Sequence, residues 1–222
     1  MPGQYKNSSD NWECTQTKLN YKTAHKIVAI LRGVPPQDVL SIVTALYLGG
    51  ICLVEVTLNS TGALALIEAI VKQMEGKMLV GAGTVLDAGS AATAMAAGAQ
   101  FIISPSVDAH TIEATKKLNV VSIPGAFTAT EIVQAHKLGG DIIKLFPASV
   151  GLSYFNDIRG PLNHIPLMPT GGISLQNISG FYKAGAIAFG IGSALVKPQP
   201  LSDQYLEQLT ITAKQFVDSV AE

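Results

Sequence analysis

Apolar residues follow two alternating rhythms along this chain. Short apolar runs bounded by glycine, proline or charge read as buried strands, and the segments between them carry apolar residues three and four apart, as helices do. The strands predicted are Ile27–Leu31, Ile51–Thr57, Met78–Gly81, Phe101–Ser104, Val120–Ile123, Asp141–Phe146, Pro166–Met168 and Ala186–Ile191. Helices are expected over Pro36–Tyr47, Thr61–Met74, Ala88–Ala97, Asp108–Leu118, Ala129–Lys137, Tyr154–Ile158, Leu175–Ala184 and Asp203–Val220. Successive strands start 19 to 27 residues apart, and glycines such as Gly49-Gly50, Gly98, Gly139-Gly140 and Gly185 separate a helix from the next strand. Eight such units of α/β class predict a (β/α)8 TIM barrel, with a doubly wound open sheet as the alternative. No linker divides the chain. The expectation is a single domain over 24–222 with a short N-terminal extension, a polar tail or short helix at 1–23.

Composition narrows the function classes. With 48% hydrophobic and 14% charged residues the chain is core-rich and globular. A net charge of −1 offers no basic footprint for nucleic acid, and the apolar runs are too short to span a membrane. The first residues lack a basic region followed by an apolar core, so no signal peptide is expected. Cys14 and Cys52 make no disulfide framework, which fits a cytoplasmic protein, and Cys52 is expected to pack in strand two as a small hydrophobe. His25, His110, His136 and His164 show no metal-ligand spacing, so neither a metal nor a cofactor is expected.

Two charges break the apolar strands. Lys144 lies inside Asp141–Phe146, where alternation puts it on one face with Ile142 and Phe146. A strand lysine commonly carries its ammonium out to water. If it stays buried it needs a partner or loses its proton, and a neutral amine attacks ketones. Glu55 alternates with Leu53 and Thr57 in strand two and can face the same interior. A simple Glu55–Lys144 salt bridge accounts for the pair. So does Schiff-base chemistry, in which the amine forms an imine and the carboxyl shuttles protons.

In a barrel, chemistry sits at the C-terminal ends of the strands. Pro169-Thr170-Gly171-Gly172 follows strand seven and Gly192-Ser193 follows strand eight, where backbone N–H groups can hold a phosphate, and Ser174 can cap the next helix. Two ordinary βα turns are the plainer reading. Gly81-Ala82-Gly83-Thr84 lacks the third glycine of a dinucleotide loop, since Leu86 stands there.

Taken in order, Val54-Glu55-Val56-Thr57-Leu58, Gly81-Ala82-Gly83-Thr84-Val85-Leu86, Ile103-Ser104-Pro105, Ile123-Pro124-Gly125, Lys144-Leu145-Phe146-Pro147-Ala148, Pro169-Thr170-Gly171-Gly172-Ile173 and Gly190-Ile191-Gly192-Ser193 resemble the 2-keto-3-deoxy-6-phosphogluconate/4-hydroxy-2-oxoglutarate (KDPG/KHG) aldolases. The resemblance implies a metal-free class I aldolase, typically a homotrimer, that cleaves a phosphorylated 2-keto acid to pyruvate and glyceraldehyde 3-phosphate. It makes Lys144 the Schiff-base lysine and Glu55 the general acid/base. Thr84, Pro105, Phe146 and Thr170 would line the pyruvate end, and Gly171, Gly172 and Ser193 would hold the phosphate. Asn59 stands where many members have an arginine for the substrate carboxylate, and Asn59-Ser60 with Ala29-Ile30-Leu31-Arg32-Gly33 looks like the 6-phosphogalactonate branch. Arg32 is then the candidate for that carboxylate, while Thr170 looks like the phosphogluconate branch. The rival readings are a 4-hydroxy-2-oxoglutarate aldolase, a phosphate-binding barrel isomerase, and a barrel that binds phosphometabolites without turnover.

Overall fold

A computed structural model describes residues 26–221. The expectation for 1–23, together with Cys14 and His25, lies outside the described residues. All strand pairings are parallel and build a curled sheet in two parts. The larger part joins β1 (Ile27–Leu31), β2 (Leu53–Thr57), β3 (Leu79–Gly83), β4 (Phe101–Ile103), β5 (Val121–Ile123) and β9 (Phe189–Ile191), in the order β5-β4-β3-β2-β1-β9. The smaller joins β6 (Gly125–Ala126), β7 (Ile143–Leu145) and β8 (Leu167–Pro169). One bridge, Thr170 to Gly190, links the end of β8 to β9. Eight α-helices of the described residues alternate with the strands: α1 (Val39–Leu48), α2 (Ala63–Gln73), α3 (Ala88–Ala96), α4 (Ala109–Lys117), α5 (Ala129–Lys137), α6 (Leu152–Arg159), α7 (Ile178–Lys183) and α8 (Asp203–Asp218). None is long and apolar enough to cross a membrane.

The predicted units are all present, with several corrections. The fifth strand does not end at Ile123. Proline has no N–H for the ladder, so Pro124 divides it, and Gly125–Ala126 continues as β6 beside β7. Asp141, Ile142 and Phe146 lie outside β7; the Asp141 carboxylate instead accepts from Lys116 at 2.7 Å and from the Ser122 N–H at 2.9 Å. Cys52 precedes β2 rather than lying in it, though it is buried as expected, and burial pushes its thiol up to about 11. Ser174 does not cap α7: its own N–H donates to the Asn177 side chain at 2.9 Å.

Alternation sorts the strand residues into two cores. Ala29, Leu31, Val54, Val56, Val80, Ala82, Ile143 and Leu145 pack with the helices. Val28, Leu53, Phe101, Ile103, Val121, Ile123 and Met168 form a separate cluster on the other face. This second cluster is the floor on which the inward polar residues stand. In register, Glu55 lies between Ile30 of β1 and Gly81 of β3, and Lys144 between Gly125 of β6 and Met168 of β8. Gly81 has no Cβ because the Phe101 ring fills that space.

Candidate active site

Both charged strand residues are inside. Glu55 is 1% exposed and Lys144 3% exposed, which removes the reading of a lysine that reaches out to water. Nor is there a contact ion pair. Both Glu55 carboxyl oxygens are buried without a hydrogen-bond partner among the described residues, so the carboxyl and the ammonium act on each other through space. The carboxyl lies against Gly83 of β3, where any Cβ would overlap it. The Lys144 Nζ stands 5.0 Å from the centroid of the Phe146 ring.

The electrostatics of this pair run toward neutrality. Burial pushes the Glu55 carboxyl above its ordinary range, against the pull of the Lys144 and Arg32 charges. Burial likewise pushes the Lys144 ammonium below its ordinary range; Glu55 opposes that shift and Arg32 adds to it. Desolvation is the leading cause in both cases, because each charged form has lost its water. Both shifts favour the uncharged forms, and those are the forms useful toward a ketone: an uncharged amine supplies the electron pair for attack and an uncharged carboxyl supplies the proton for the departing hydroxyl.

A cavity of about 610 Å³ opens above Lys144. It gathers Arg32, Lys144, Phe146, Thr170, Gly171, Gly172, Gly192 and Ser193 on one wall system, so most of the residues singled out in the sequence converge. Glu55, Asn59, Thr84 and Pro105 are not among its lining residues. Glu55 is tied to the cavity through charge, by its interaction with Lys144 and Arg32, which do line it. Asn59 is exposed in the turn after β2, and Thr84 and Pro105 are half-buried at the ends of β3 and β4. Thr84 holds a left-handed backbone, φ +57°, which is rare for a β-branched residue and gathers at functional rims.

The loop glycines are shaped for close approach. Gly171 and Gly172 have φ of +85° and +77°, and a Cβ on Gly172 would meet the Ser149 Cα at 2.8 Å. On the inner wall, Gly190 gives up its side-chain space to the Thr170 hydroxyl. Sequence reasoning missed the apolar lining, notably Ile30, Ile173 and Pro198. The signal for Ile30 was present, since it shares an inward parity with Val28 and Arg32.

Residues 19–211 match the family model described as KDPG and KHG aldolase. A probable 2-dehydro-3-deoxy-6-phosphogalactonate aldolase of Rhizobium meliloti is 36% identical over 174 residues, covering 78% of this chain and 82% of the relative. A native KDPGal structure superposes with a TM-score of 0.81 at 31% identity, over 91% of this chain and 95% of the other. A KDPG aldolase from Legionella pneumophila, with pyruvate captured as a covalent carbinolamine intermediate, superposes with a TM-score of 0.78 at 28% identity, over 86% and 93% of the two chains. Family match, curled parallel sheet and buried amine agree, and the chain belongs to the KDPG and KHG aldolase family of carbon–carbon lyases.

Proposed function

We propose that the chain is a class I aldolase that cleaves 2-keto-3-deoxy-6-phosphogluconate or its galactonate epimer to pyruvate and glyceraldehyde 3-phosphate. The observation that carries this reading is the buried Lys144 amine facing a cavity, with the unpartnered Glu55 carboxyl coupled to it. Lys144 Nζ attacks the C2 ketone to give a carbinolamine, and Glu55 protonates the hydroxyl that leaves as water, giving the protonated imine (iminium). Glu55, now a carboxylate, takes the C4 hydroxyl proton. The C3–C4 bond breaks, its electrons pass into the iminium, and glyceraldehyde 3-phosphate departs. Glu55 returns a proton to C3 of the enamine, and water hydrolyses the pyruvate imine.

Arg32 faces the carboxylate, Thr170 and Phe146 flank the pyruvate end, and Asn59, Thr84 and Pro105 border it from the rim. Gly171, Gly172, Gly192 and Ser193 hold the phosphate at the far end of the cavity. A galactonate-named relative and a gluconate-named structural neighbour support both epimers as substrates. We further propose that the two sheet parts are one (β/α)8 barrel, joined across Pro124 and through the Thr170–Gly190 bridge, and that the enzyme works as a cytoplasmic homotrimer.

Borohydride reduction in the presence of pyruvate, followed by peptide mass mapping, tests the mechanism. A three-carbon adduct on Lys144 with loss of activity is expected. An adduct on another lysine, or none, overturns it.

A further inference from the structure

Arg32 is held at the peptide on each side of it. Before it, the Leu31 carbonyl accepts from Thr57 Oγ1 at 3.3 Å; after it, the Gly33 N–H donates to Ser60 Oγ at 3.0 Å. The two hydroxyls lie 2.9 Å apart. The direction of the bond between them follows from proton accounting. A carbonyl only accepts, so the single Thr57 hydroxyl proton goes to Leu31. Ser60 must then donate to Thr57, which leaves its oxygen to accept from Gly33. The result is one directional chain, Gly33 N–H to Ser60 to Thr57 to Leu31 C=O, in which each hydroxyl gives once and receives once. Thr57 is 0% exposed, so water does not replace its bonds. The Ser60 N–H also donates to the Thr57 carbonyl at 2.9 Å, which fixes the spacing of the two hydroxyls. Gly33 turns the chain away at φ +63° directly after the arginine.

Neither hydroxyl residue lines the cavity, yet their relay pins both ends of the short segment that carries Arg32. We propose that Ser60 and Thr57 are positioning residues that aim the Arg32 guanidinium at the substrate carboxylate. The inference rests on the role given to Arg32 above. It also assigns a task to the loop after β2: where Asn59 contributes no charge, its neighbour Ser60 orients a charge borne by another strand.

The test is a double-mutant cycle on aldol cleavage with Ser60→Ala, Arg32→Ala and the pair, with Ser60→Thr as the conservative variant. Removing one neutral hydrogen bond should raise KM roughly 3- to 10-fold in Ser60→Ala with kcat within about twofold. Ser60→Thr should restore KM, and Ser60→Ala should add nothing once Arg32 is alanine. Borohydride trapping of pyruvate on Lys144 should persist in Ser60→Ala, and its thermal midpoint should match that of Ser60→Thr. An unchanged KM in Ser60→Ala overturns the proposal, as does the same rise with and without Arg32, because a loop brace would act in both backgrounds. If Arg32→Ala itself leaves KM unchanged, the carboxylate role falls and the relay's purpose with it. Loss of trapping in every variant, the parent included, would instead indict the aldolase reading.

Discussion

The carboxyl of Glu55 occupies the space that a side chain on Gly83 would need. The two residues lie on adjacent strands, and the glycine of one is the seat of the acid of the other. Gly83→Ala therefore displaces the carboxyl with little change elsewhere. General acid–base contributions run to about 10²–10⁴-fold, so kcat for cleavage should fall by about 10²-fold or more while circular dichroism stays native. A Gly83→Ala enzyme with parent kcat would show that the carboxyl position is immaterial.

Glu55→Gln keeps the shape of the side chain and removes its titration. The loss in kcat should again be about 10²–10⁴-fold. The pyruvate imine should still form, more slowly, because Lys144 is untouched. Steady-state rates alongside borohydride trapping separate the two effects.

The lysine should report its charge through pH. Its amine attacks only when neutral, so pyruvate imine formation should rise with pH through a midpoint below the ordinary lysine range. Arg32 contributes to that depression, so Arg32→Ala should move the midpoint upward. Linkage gives the sign for stability. The folded pKa lies below the unfolded one, so the cost of the buried charge is full below the folded value and fades as pH rises to the unfolded value. Lys144→Met should therefore gain most over the parent at low pH. Stopped-flow trapping and denaturant titrations across pH check both statements, and a downward midpoint shift would refute the first.

Gly172→Ala addresses the phosphate end. A Cβ there meets Ser149, and the left-handed backbone strains any alanine. Strain of about 1–3 kcal/mol, if it falls on the phosphate-bound state, should raise KM for phosphorylated substrate by roughly 5- to 150-fold. Pyruvate imine formation should be unaffected, since only the distal end is disturbed. Equal losses for both reactions would place the phosphate elsewhere.

Arg32→Ala should raise KM at least tenfold, since a charge-assisted hydrogen bond contributes about 1.5–3 kcal/mol. Arg32→Lys should recover part of it, lacking the bidentate fork. Both C4 epimers should be turned over by the parent, and complete refusal of either would tie the chain to one branch.

Much of this was legible in the sequence for a physical reason: alternation and glycine placement are local signals, and they located every strand–helix unit and the inward parity of Glu55 and Lys144. What escaped depended on neighbours distant in the chain. Pro124 read as a stop, whereas β6 exists only because β7 lies beside it. Gly83 read as a loop glycine, and its seat for Glu55 emerges only when β2 and β3 are paired in register. Cavity residues such as Ile30 looked like any other core position until the sheet curled and left space above them. The tie from Ser60 to Gly33 spans two loops and has no signature in either.

The Phe146 ring beside Lys144 Nζ bears on a state the resting enzyme does not populate. In the proposed mechanism, an amine that must be uncharged to attack becomes, once condensed, a cation through the bond-breaking step. The ring edge-and-face asymmetry serves both conditions: its apolar body favours the neutral amine, and its electron-rich face attracts the iminium by about 0.5–2 kcal/mol. Replacing it with leucine would keep the first service and withdraw the second, so the intermediate, rather than the free enzyme, would register the change.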